Sequence, residues 1–296
     1  MAWIDDEQRA ETAMRAAFAR IAALDTALSD WKPDSELSRL SRAPRGGPVT
    51  VSDDLLAVLV RAAEIAQATG GAFDVTLGPF VVLWRRALRQ RELPAPERLD
   101  AARASVGWRL VAIDREARTV TLRAPSMRLD LGGIGEGFAA DAALAVLAEH
   151  GITRALVDAG GDLAIGDPPP DEDGWTIALR TSAEGPAEAI RVARCGVATS
   201  GDLFRSIEID GTRWSHVIDP RTGLGVTARR SATVVAADAA TADALATACC
   251  VLEPNAALEA VARIDGAAAL VRQTDDEATV VRVSPGFPAR VDPNRR

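Results

Sequence analysis

Asp243 and Thr247 stand four residues apart in the run ATADALATACC, a spacing that on a helix puts both side chains on one face with Cβ atoms about 6 Å apart. A carboxylate and a hydroxyl so placed can join a hard cation such as Mg²⁺, which takes oxygen ligands and keeps positions for phosphate and water. The same spacing is common on solvated helix faces, so alone it leaves both readings open. A second stretch offers something for such a cation to serve. LDLGGIGEGFAAD, residues 129–141, reads as a short strand ending in Asp130, a turn with Gly132, Gly133, Gly135 and Gly137, and a helix running to about Leu147. Backbone N–H groups converge at such a turn with no Cβ atoms to hold a ligand off, which suits a phosphate.

That turn imitates a dinucleotide-binding fingerprint only in part. Counted from Gly133, the third small position falls on Phe138, whose ring would block close helix–strand packing, although Asp158 at the end of ALVD does imitate the acidic ribose ligand. Of the two histidines, His150 ends a long helix, where an imidazole suits the dipole. His216 lies in WSHVIDPRTG, after a β-like run and directly before a turn. There it can reach an open site, or donate to a turn carbonyl or to Asp219. Asp74, in GAFDVTLGPF, sits between apolar residues in a short extended segment and needs a partner, either a ligand or the turn that it caps. Trp31, in a turn between two helices, is either a satellite of the core or a flat face for a ring ligand.

Several elements must position these groups. Residues from about Glu7 to Leu28 carry apolar side chains at helical spacing, Pro33 breaks the pattern, and Asp34-Ser35-Glu36 offers a new cap. Val51 to Gly70 reads as a second strong helix, capped by Ser52 and closed by Gly70-Gly71, and Pro94 to Ser105 as a short one. WRLVAID, TVTLR, MRLDL, ALVD, DLAIG, WTIALR and the segments around CGVATSG and FRSIEI read as strands. ATVVAAD adds a strand and a turn before the helix of Asp243. The expected class is α+β, a mixed and largely antiparallel sheet core with flanking helices and a helical N-terminal layer. Without repeat or obvious linker, residues 1–296 read as a single domain.

Composition narrows the function. A net charge of −8 and the lack of a basic stripe argue against nucleic acid as partner. Cys195, Cys249 and Cys250 lack metal-ligand spacing and read as small buried hydrophobes. The start, MAWIDDEQRAE, has no apolar core, and no stretch approaches eighteen apolar residues, so the expectation is no transmembrane segment, no signal peptide or lipobox, and a cytoplasmic protein as written.

DSELSRL, TGGAFDVTLGPF, DLGGIGEG, TSGDLFRS, SHVIDPRTG and ADALAT occur together in an order that closely resembles the ApbE family, from about residue 10 to 285. These are flavin transferases that use FAD to attach FMN to a protein threonine. The resemblance implies that Asp243 and Thr247 hold Mg²⁺ with the backbone carbonyl of Gly133. It implies FAD contacts at Asp130, Glu136, Ala72, Phe73, Asp74 and Ile218, with Trp31 where the family often has an aromatic. The implied reaction is Mg²⁺-dependent: an acceptor flavoprotein's threonine hydroxyl attacks the FMN-side phosphorus of FAD and AMP leaves. His216 is the expected base, with Asp219 and Asp243 as competitors. A metal-dependent FAD pyrophosphatase and a non-catalytic FAD-binding protein are the alternatives. In two respects the chain departs from the family pattern: the usual first strand with its Met-Gly-Thr-like segment and the export signal or lipid anchor of many relatives are not seen, and Ser41 stands where an asparagine is common.

Overall fold

The computed structural model describes residues 1–179, 188–201, 206–275 and 278–291. Residues 202–205 of TSGDLFRS, and with them the first two residues of FRSIEI, lie outside the described residues.

Asp6, Ser35, Ser52 and Asp238 each stand just ahead of a helix and accept an N–H from its first turn, fixing where four helices begin. The N-terminal layer comprises α1 (Glu7–Leu28), α2 (Glu36–Arg42), β1 (Val49–Thr50), α3 (Asp53–Ala68), α4 (Gly78–Gln90) and α5 (Pro96–Arg103). Gly70 and Gly71, both at positive φ, stop α3. Sequence reading had not anticipated α4, although Pro79 lies in its first turn and Phe80, Trp84 and Ala87 give it a buried stripe.

Next come β2 (Val111–Asp114), β3 (Thr119–Leu122), α6 (Gly135–Glu149), β4 (Leu156–Ala159), β5 (Asp162–Ile165), β6 (Trp175–Leu179) and β7 (Glu188–Val192). The rest is β8 (Cys195–Gly201), β9 (Ser206–Ile209), β10 (Thr212–Ser215), β11 (Arg229–Ala236), α7 (Ala239–Val251), α8 (Pro254–Val261), β12 (Ala268–Thr274), β13 (Thr279–Val283) and β14 (Arg290–Val291). Six strands form the main sheet in the order β13-β12-β11-β8-β5-β4. Smaller sheets are β1-β3-β2, β14-β7-β6 and the β9-β10 hairpin. Every pairing between these strands is antiparallel, so the fold is α+β as expected. Among the described residues no helix is long and apolar enough to cross a membrane.

Helix α7 sits at the centre of the molecule. All of its residues but Thr247 are buried, so the solvated-face reading of Asp243 is wrong. Its alanines and cysteines let neighbours come close: a Cβ on Gly137 of α6 or on Gly196 of β8 would collide with the backbone at Ala239. Two further expectations need correction. MRLDL is no strand; only Arg128 makes an isolated parallel bridge, to Leu77. Asp130 sends its N–H to Val75 and takes the Gly132 N–H on its own carboxylate, a local turn that displaces a ladder. The segment around Asp74 is likewise a turn, not extended chain.

Candidate functional site

Three segments meet on the open position of α7. If Gly133 carried a Cβ, it would lie 3.2 Å from Thr247 Oγ1 and 3.4 Å from the Phe73 ring, so the glycine turn touches both the late helix and the Ala72–Asp74 turn. One helical turn further, the Gly137 N–H points to Asp243 Oδ2 at 3.5 Å. The contact is held by Asp141, whose two carboxylate oxygens accept the N–H groups of Ala239 and Ala240, each at 2.9 Å. An acid at a helix N-terminus is favoured there. Burial nevertheless pushes its carboxyl up to about 6.

A cavity of about 350 Å³ opens above this junction. Eight of the residues singled out from the sequence line it: Ala72, Phe73, Asp74, Asp130, Gly133, His216, Ile218 and Thr247. Trp31 and Glu136 do not. They line an adjoining hollow of about 400 Å³ between α1 and α6, which meets the cavity at Gly132. Asp243 lies below the cavity floor, 7% exposed.

The electrostatics of that floor are unusual. Burial first, then the nearby charges of Asp162 and Glu136, hold the Asp243 carboxyl well above the ordinary aspartate range, against a lowering pull from the Gly137 N–H. Asp162 is raised too, by burial and then by Glu136 and Asp158. A buried acid with one long hydrogen bond beside other acids is the environment that a cation relieves. No group of three or more His, Cys, Asp or Glu side chains is set to hold a metal among the described residues. A cation would therefore rely on Asp243, the Thr247 hydroxyl, backbone oxygen and a ligand's own oxygens, a donor set that suits Mg²⁺. Asp162 escaped sequence reading because β5 reaches the site only through the sheet.

The glycine turn offers fewer free donors than its sequence suggests. The N–H groups of Gly132, Ile134 and Gly135 close the turn itself and that of Gly137 goes to Asp243. Those of Gly133 and Glu136 have no acceptor among the described residues. Glu136 packs its carboxylate over the β4–β5 turn, where a Cβ on Gly160 would strike it.

Asp74 is a brace as well as a lining residue. Its Oδ1 accepts the N–H and hydroxyl of Thr76, both at 2.7 Å, and its Oδ2 the Trp108 N–H at 2.9 Å, so of the two readings the capped turn is present. Burial still raises its carboxyl. Asp130, also raised chiefly by burial, accepts from Gly132 and from Arg85 Nη2 at 3.3 Å. Arg85, on the unanticipated α4, pairs also with Asp30 at 2.6 Å and stacks 3.8 Å from the centroid of Trp31. Trp31 is 71% exposed, so it is no satellite of the core. The Ser41 hydroxyl accepts the Leu129 N–H and thereby anchors the approach to Asp130.

His216 follows β10 and stands half-buried in the cavity wall. Asp219 is bound to its own turn: its oxygens take the Arg221 N–H and guanidinium at 2.7–3.1 Å. It does not line the cavity, whereas His216 does.

Comparison with known proteins bears on this geometry. A model of the ApbE family matches residues 3–271. A Klebsiella pneumoniae protein named FAD:protein FMN transferase is 34% identical over 290 residues, covering 95% of this chain and 83% of the relative. The solved flavin transferase ApbE of Vibrio cholerae superposes with a TM-score of 0.83 at 29% identity, covering 96% of this chain and 91% of that one. The apo form of the Pseudomonas stutzeri flavinyl transferase ApbE gives 0.82 at 28% identity, covering 97% and 88%.

Proposed function

The chain belongs to the ApbE family, and on that premise we propose how it moves FMN from FAD to a protein. FAD occupies the cavity and the adjoining hollow, with its diphosphate at the glycine turn. The acceptor is a flavoprotein and the nucleophile is a threonine hydroxyl. Asp243, Thr247 Oγ1 and the Gly133 carbonyl would hold Mg²⁺, which when bound neutralises the diphosphate oxygens as the bond to AMP breaks.

The chain's own groups do the rest. The free N–H groups of Gly133 and Glu136 orient the phosphates. Asp130, fixed by Arg85, and the turn braced by Asp74 shape the flavin side, with Ala72, Phe73 and Ile218 excluding water. Trp31 and Glu136 border the hollow. His216 Nε2 or Nδ1 takes the threonine proton as the oxygen bonds to the FMN phosphorus and AMP departs with the bridging oxygen. The whole chain acts as one unit in this reading, because α7, α6 and the 72–74 turn all contribute.

The observation that supports it most is the meeting of Gly133 with Thr247 one turn from buried Asp243. Incubation with FAD, Mg²⁺ and an acceptor domain, followed by mass measurement, tests it. The expected result is one FMN on the acceptor, lost when its threonine becomes alanine. Free FMN and AMP with an unmodified acceptor would mean hydrolysis instead.

A further inference from the structure

On the far side of Trp31 lies a cleft of about 370 Å³ that shares Asp30 and Trp31 with the hollow but no residue with the cavity. Its wall carries Arg42, Arg45 and Arg128 with three serines, in a protein of net charge −8. Asp30 is the one acid there, and it is already engaged by Arg85 at 2.6 Å and by Arg128 at 3.7 Å. The other two guanidiniums have no carboxylate partner among the described residues. Arg42 donates to the Pro33 carbonyl at 2.5 Å. Arg45 donates from Nη2 to the carbonyls of Ser41 and Met127, at 2.6 and 2.8 Å, while its Nη1 is buried with no acceptor among the described residues. Two cations satisfied only by neutral carbonyls, one with an orphaned buried donor, lack the planar anion that a guanidinium fork matches.

The geometry points to this cleft as the docking site for an aspartate- or glutamate-bearing segment of the acceptor protein, its carboxylate held by Arg42 and Arg45. This rests on the transferase reading, in which the threonine must enter the site while the rest of its chain lies outside. FAD, seated at the glycine turn, leaves the cleft open. Arg85 joins the two regions, since it contacts Asp30 and Trp31 on one side and Asp130 on the other. A polypeptide that passes the exposed face of Trp31 can thus set a carboxylate in the cleft while its threonine enters the site.

The test uses the full chain and labelled peptides with one threonine and one aspartate at varied separation, each with an asparagine counterpart. At least one aspartate peptide is expected to bind about tenfold more tightly than its counterpart, as one charge-assisted bidentate contact provides. Arg42→Gln/Arg45→Gln should abolish that preference, and the exposed single change Arg42→Gln should reduce it if the double variant melts early. Equal binding of the paired peptides, or a preference that survives the double change, overturns the site. So does inorganic phosphate or acetate that binds as tightly as the best peptide, which would make the cleft a small-anion site. Mass measurement on an acceptor separates the two readings: FMN transfer without aspartate preference removes only the docking site, and peptide preference without transfer removes the transferase reading and the acceptor with it.

Discussion

Asp243 is costly where it stands. Its carboxylate is buried, repelled by Asp162 and Glu136 and relieved by a single 3.5 Å contact from Gly137. Asp243→Asn should therefore leave the metal-free protein as stable as before or more so in thermal melts, while AMP release with FAD and Mg²⁺ falls by about a hundredfold or more. A large loss of stability without Mg²⁺ would show that the charge supports the fold. His216→Asn is expected to lower transfer by about 10²–10⁴-fold and to remove the acid limb of the pH–rate profile, with FAD still bound by fluorescence titration. An unchanged profile would assign the proton to another group. At this scale the sequence was partly readable. Asp243 and Thr247 share one helix, so their spacing carries the geometry, but the burial of Asp243 depends on β8 and β11 packing around that helix. Arg85 and Asp162 gave no local signal, because each acts on residues dozens of positions away.

At the scale of elements, the pairing of α6 with α7 decides whether the site exists. Gly137 and Asp141, four apart on α6, both engage the first residues of α7, one by close approach and one by two hydrogen bonds. Gly137→Ala sets two effects against each other. Helix propensity favours alanine by about 1 kcal/mol. The new Cβ would meet the Ala239 backbone, which cannot swing away as a side chain can, and overpacking costs about 1–3 kcal/mol. The expected outcome is a net loss of stability, read as a lower urea midpoint at unchanged slope, with a larger loss of turnover as Thr247 moves from Gly133. A variant as stable as the parent would show that the helices can separate freely. The glycine-rich run was legible as a turn, yet Gly137's role was not, since only the fold shows that it serves packing and not a phosphate. Strong periodicity and caps made α1 and α3 readable to within two residues. MRLDL misled because alternating apolar residues look the same in a strand and in a lone extended segment pinned by Asp130.

For the whole molecule, the buried acids set a pH dependence whose sign can be worked out. Asp141 titrates at about 6 in the folded protein against an ordinary value of 3.8, and Asp162 and Asp243 are shifted the same way. Between those values the native state holds more protons than the unfolded chain, so stability falls as pH rises from about 4 towards 7. Asp54 works in the opposite sense, since Arg20 lowers its carboxyl below 3.8, but its contribution is lost only under more acidic conditions. Melting in EDTA should accordingly show the melting temperature dropping across pH 4.5 to 7. Mg²⁺ binds the ionised acids and not the protonated ones, so by linkage it should raise the melting temperature more at pH 7.5 than at pH 5 and flatten the profile. A melting temperature that climbs with pH in EDTA would mean that these acids are solvated or paired in ways the buried floor does not allow. An Mg²⁺ effect of equal size at both pH values would put the cation somewhere other than Asp243.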